Sequence, residues 1–134
     1  MRYSYMFVYG TLRKTGGNEF YLANSEYVGT GKTKEFFSLY VEGIPYLNSN
    51  ENNYNVIGEV YKVNEATLDS VDMLEGHPRW YYRFPTEIVL EDGQVILAWT
   101  YFNNQKTKTK LEEGDYIKYI NKNNDDTNRL LSKV

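Results

Sequence analysis

Two short stretches carry residues that could do chemistry. The first, Phe7-Val8-Tyr9-Gly10-Thr11-Leu12, is an apolar run that breaks at a glycine. A glycine there lets the chain turn and lets a ligand approach the backbone closely. Successive amides in such a turn form a concave anion site, suited to a carboxylate. The second, Leu68-Asp69-Ser70-Val71-Asp72-Met73-Leu74-Glu75-Gly76, places a carboxylate at the end of an apolar-periodic segment. Each has an ordinary alternative: a strand end with its breaker, and a surface glutamate.

Glu75 gains interest from where it falls. In the last turn of a helix it meets the negative end of the macrodipole, and Asp72 lies about one turn earlier. Both effects, and burial, would raise its pKa. An ordinary glutamate titrates near about 4.3 and an α-amino group near about 8, so it starts roughly 5 kcal/mol short of accepting an ammonium proton. A shift to about 6–7 would close much of that gap, as a general base for an amine requires.

Composition removes the competing chemistries. The 134 residues include no cysteine and one histidine, His77. Disulfides, thiolate catalysis and cysteine metal sites are excluded, and a His-rich zinc site cannot be built. Ser38 and Ser70 have no base at readable spacing, which leaves little for serine hydrolysis. We expect neither metal nor cofactor. The formal net charge of −3 argues against a nucleic-acid partner. No apolar run approaches membrane-spanning length, so a cytoplasmic protein without a membrane partner is expected, as monomer or weak homodimer.

The elements that must position these residues are legible in outline. Tyr3–Val8 reads as a strand, 14–18 as a loop around Gly16-Gly17, and 19–24 as a short helical turn. Phe36–Val41 is a second strand candidate. Ile44-Pro45-Tyr46-Leu47 is extended, because the residue before proline avoids the helical region. An asparagine-rich loop at 49–55 precedes the strand 58–63. Asn64 is placed to cap a helix on which Leu68, Val71 and Leu74 share a face, and Gly76 and Pro78 stop it. Thr86–Leu90 and Gln94–Phe102 flank the hairpin turn Glu91-Asp92-Gly93. The second of these strands is apolar on both faces, which predicts a central position. His77 is expected to be structural, and Lys106, Lys108 and Lys110 to form a solvated face. Residues 1–120 are expected to form one domain, with 121–134 a polar tail, frayed or partly docked. The order predicts an α+β fold, a small mixed β-barrel with flanking helices.

At these residues the sequence resembles the gamma-glutamylcyclotransferase-like superfamily, and most closely its gamma-glutamylamine cyclotransferase branch. The resemblance spans roughly residues 5 to 102. It rests on Val8-Tyr9-Gly10-Thr11-Leu12, Gly58-Glu59-Val60-Tyr61, Leu68-Asp69, Leu74-Glu75-Gly76, and the spacing Pro78-x-x-Tyr81-x-Arg83. It implies a small barrel in which Tyr9, Gly10, Thr11 and Leu12 bind a γ-glutamyl group and Glu75 is the acid/base. Tyr81, Arg83 and Glu59 are expected to touch substrate or support the site. The implied reaction converts a γ-glutamyl-amine to 5-oxoproline and a free amine. A binding module for a γ-glutamyl or other small carboxylate, without turnover, is the alternative.

Overall fold

The barrel is built from five strands whose side chains alternate between two apolar layers. A computed structural model describes residues 2–132. Strands β1 (Tyr3–Val8), β2 (Glu26–Thr33), β3 (Ser38–Glu42), β4 (Ile44–Asn48) and β5 (Ile57–Asn64) precede helix α1 (Glu65–Glu75). Strands β6 (Tyr82–Leu90), β7 (Val95–Phe102) and β8 (Thr109–Lys110) and helix α2 (Tyr116–Ser132) follow. The closed barrel runs β1-β5-β2-β6-β7, and β4-β3-β8 forms a separate small sheet. The parallel contact Met6↔Trp99 joins β7 back to β1, while the other barrel pairs are antiparallel. This is the expected mixed barrel.

Period-two alternation sorts the core. Phe7 of β1 faces Val60 of β5, and both pack with Ile88, Ala98 and Phe102. Their neighbours Met6, Val8, Tyr61 and Val63 point the other way and pack with Val71 of α1 and Leu22. Residues 19–22 form the expected short helical turn. The helix thus lies on the outer face of β1 and β5, which brings its C-terminal end beside the end of β1. Asn64 caps it as expected, accepting from the Thr67 amide at 2.8 Å. Gly76 ends it at φ 65°, a left-handed position that suits glycine.

The structure departs from the sequence expectations in three places. Strand β2 has no counterpart in them; Gly29 and Gly31 interrupt its side-chain pattern. Gly31 is needed for close approach: a Cβ there would lie 2.8 Å from Ile88 Cγ2 on β6. Strand β7 has barrel neighbours on both sides, but its second apolar face is not covered throughout, since Val95 and Leu97 are exposed. Closure gives a strand two neighbours without burying its outside. Helix α2 runs through residue 121, where a frayed or partly docked tail was expected. Asp115 starts it by accepting from the Lys118 amide at 3.1 Å, and Tyr116 is buried. Residues 133–134 of that segment lie outside the described residues.

Candidate active site

The turn after β1, strand β4 and the end of α1 enclose a cavity of about 170 Å³. Tyr9, Gly10, Thr11 and Leu12 all line it, and so do Glu75 and Tyr81. The two stretches singled out in the sequence therefore meet in one place.

Glu75 gets there through the helix cap. The Gly76 and His77 amides donate back to Met73 and Asp72, and the Tyr81 amide donates to the Glu75 carbonyl at 3.1 Å. The chain folds under the helix end, so Trp80 and Tyr81 stand beside the carboxylate. Burial raises the Glu75 pKa to about 7. Asp72 does not contribute the expected push. Its Oδ1 accepts from Arg83 Nε at 2.9 Å and from the Tyr101 hydroxyl at 2.6 Å, which engages its charge elsewhere. Against an α-amino group near about 8, the remaining mismatch is about 1.4 kcal/mol rather than roughly 5.

Three tyrosines stand near this carboxylate, Tyr9, Tyr81 and Tyr101; burial raises the pKa of each, and the Glu75 charge adds to the rise. All three hydroxyls are committed. Tyr9 donates to the Tyr101 carbonyl at 2.7 Å and Tyr81 to the Pro45 carbonyl at 2.6 Å, while Tyr101 serves Asp72. Tyr9 therefore does not have its hydroxyl proton free to donate to a substrate. Among the described residues no group donates to the Glu75 carboxylate, which is open to the cavity.

The turn after β1 contributes backbone to the lining. The Gly10 carbonyl accepts from the Arg13 amide at 3.0 Å and the Thr11 carbonyl from the Asn18 amide at 2.8 Å, which tightens the turn. The amides of Gly10, Thr11 and Leu12 have no acceptor among the described residues. A run of unspent donors in a turn attracts an anion. Thr11 Oγ1 accepts from Asn18 Nδ2 at 3.1 Å, so Asn18 joins the lining.

The mouth is apolar. Ile44 and Leu74 are each 37% exposed and Trp80 47%, a concentration of large apolar side chains on a lined opening. Glu75 is the one acidic or basic side chain among the described residues of the lining.

The other expected residues sit around this centre. Arg83 stays out of the cavity, holding Asp72 and stacking over Trp99 at 4.2 Å. Glu59 lies behind the turn, 5% exposed. His77 Nδ1 accepts from the Arg83 amide at 3.2 Å, a structural bond. Lys106 and Lys110 pair with Glu51 at 3.1 and 2.6 Å. Asn18, Ile44, Leu74, Trp80 and Tyr101 escaped the sequence reading as site residues. Pro45 was read only as marking extended chain, the one signal that could have led to the wall it forms. Among the described residues no cluster of histidine and carboxylates could hold a metal, and no helix is long and apolar enough to cross a membrane.

A stability effect follows from the burial of Glu75. Its folded pKa, about 7, lies above the unfolded value near about 4.3, so the folded protein binds this proton more tightly. Stability is therefore lost as pH rises from about 4 to about 7, and the full cost persists above that. Glu75→Gln removes it. In urea titrations the variant should exceed the parent by roughly 1–3 kcal/mol at about pH 8, nearer the low end because the carboxylate faces an open cavity. Near pH 4 the difference should vanish. A gain that does not vary with pH would contradict this.

One raised-pKa carboxylate and a run of unspent amides therefore line the same cavity at the barrel rim. The pattern for gamma-glutamyl cyclotransferase, AIG2-like proteins matches residues 6–118, and the chain belongs to that family. It is 48% identical over 116 residues to a Methanocaldococcus jannaschii protein described as a candidate gamma-glutamylcyclotransferase, covering 86% of this chain and 97% of that one. It is 35% identical to gamma-glutamylaminecyclotransferase B of Danio rerio, over 80% of this chain and 60% of that protein. The crystal structure of an AIG2-like protein from Mus musculus superposes with a TM-score of 0.73 at 26% identity, covering 81% and 82% of the two chains. The family implies a small γ-glutamyl substrate.

Proposed function

We propose that the protein converts a γ-glutamyl-amine to 5-oxoproline and a free amine, with Glu75 as the acid/base and no cofactor. The observation that carries this is the Glu75 carboxylate, buried to a pKa of about 7, without a hydrogen-bond partner, and lining the same cavity as Gly10, Thr11 and Leu12. Those amides receive the negative charge of the substrate, carboxylate or oxyanion. Glu75 takes a proton from the α-ammonium. The freed nitrogen attacks the γ-carbonyl and closes the ring. The bond from the γ-carbon to the departing nitrogen breaks as Glu75 returns its proton there. The ring nitrogen sheds its extra proton and the released amine takes one up, so total charge is unchanged. Holding the substrate folded removes up to about 7–11 kcal/mol of the entropic barrier.

The apolar mouth sets the class of leaving group. An amine with a carboxylate on the carbon bonded to nitrogen would press that charge onto Ile44 and Trp80 and toward Glu75, with no cation in the described lining to meet it. An amine whose first carbons are plain methylenes would bury them against Trp80 instead. The test is 5-oxoproline release from γ-glutamyl alkylamides and γ-glutamyl α-amino acids across pH. Alkylamides should react faster. Their rate should rise through about 7 and fall above the substrate amine's pKa near about 8, because amine and Glu75 must share one proton. Binding of the panel without release would favour the non-catalytic module.

A further inference from the structure

We propose that Arg13, Glu59 and Asp115 form a positioning clamp that sets the geometry of the anion-binding turn. This rests on the cyclotransferase reading of the cavity. None of the three lines the cavity, and the chemistry described above does not use them.

Arg13 directly follows the turn and lies within it structurally, since its amide closes the bond to the Gly10 carbonyl. Its side chain is largely buried, at 12% exposure, and pairs with two carboxylates. Nε donates to Glu59 Oε2 on β5, and a terminal guanidinium nitrogen donates to Asp115 Oδ1 at 2.9 Å. Glu59 uses its other oxygen to accept the Lys14 amide at 3.0 Å. One barrel carboxylate therefore fixes both the side chain and the backbone immediately after Leu12. Asp115 Oδ1 also accepts the first-turn amide of α2 from Lys118. The clamp thus ties the turn to a barrel strand and to the start of a helix at once.

A purely stabilising ion pair would not need this arrangement. Burying two carboxylates against one guanidinium is costly in desolvation and leaves surplus negative charge behind an anion site. The planar fork of arginine fixes direction as well as distance, and a lysine cannot meet both carboxylates that way. What the arrangement supplies is placement of a turn whose donors must converge on one anion. Misplacement of about 1 Å in such a site costs on the order of 100-fold in rate.

Arg13→Gln, Arg13→Lys, Glu59→Gln and Asp115→Asn separate placement from folding. Each variant is assayed well below its melting temperature, per folded molecule. Arg13→Gln and Glu59→Gln should lower kcat/KM by about 10–100-fold, mainly through KM, while the rising pH limb stays where it is. Arg13→Lys should recover only part of the loss, and Asp115→Asn should show a smaller fall. In parallel, 5-oxoproline is titrated into each variant while the amide resonances of Gly10, Thr11 and Leu12 are followed. Those resonances should already be displaced in the free variants, and 5-oxoproline binding should weaken. Folded variants with parental resonances and parental 5-oxoproline affinity overturn the clamp. If the parent protein releases no 5-oxoproline from any substrate, the cyclotransferase reading fails, and the resonances and affinity still decide the clamp.

Discussion

Glu75→Gln is expected to lower the rate of 5-oxoproline release by about 10²–10⁴-fold while changing KM little. Glutamine keeps the shape and one hydrogen-bonding oxygen but cannot take a proton. The Glu75 carboxylate has no hydrogen-bond or ion-pair partner among the described residues, so the loss should fall on turnover alone. The rising limb near pH 7 should disappear with the carboxylate, because burial of that one group generates it. The residual rate would come from the folded pose enforced on the substrate by the turn and the tyrosine walls. The same substitution should stabilise the protein at neutral and higher pH. Loss of activity with gain of stability would exclude misfolding as the cause. Turnover equal to the parent would show that another group moves the proton.

Gly10→Ala is the second large effect. A Cβ at this position would lie 2.5 Å from Pro45 Cγ and 3.6 Å from Cδ. The proline ring cannot swing aside, and Pro45 is held in β4 by its pairing with Val41. The turn must retreat or β4 must shift, and either moves a wall of the cavity. An overpacked contact of this kind costs typically 1–3 kcal/mol. The cost in kcat/KM should be near 100-fold, from donors displaced by about 1 Å. Denaturant midpoints and steady-state kinetics on the folded variant measure the two separately. A Gly10→Ala protein with parental kcat/KM would mean that the turn does not hold substrate.

The elements next to the site were legible because each obeys a local rule. Asn64 caps α1 through its side-chain oxygen and Gly76 ends it in the left-handed conformation that glycine favours, which placed Glu75 in the last turn. The hairpin around Asp92-Gly93 and the strand 58–63 followed from alternation and turn residues. Strand β2 was hidden because Gly31 serves packing against Ile88, a reason visible only with β6 in place. Helix α2 was hidden because a polar composition conceals a start that depends on Asp115. In the site, residue types identified the turn and Glu75. They could not reveal that Asp72 is neutralised by Arg83, or that Tyr9 spends its hydroxyl on Tyr101. Those facts depend on strands distant in sequence.

The bond from Tyr9 to Tyr101 joins residues 92 apart in sequence, and Met6↔Trp99 closes the barrel over a similar span. Such contacts are formed late, after the entropy of a long chain closure has been met. The cavity wall contributed by the first strand therefore cannot exist before the seventh has docked against it. A chain in which β1 and β7 have not paired lacks that wall, so Glu75 has no completed cavity to act in. Competence to bind requires that pairing, so recovery of activity on refolding should track barrel closure.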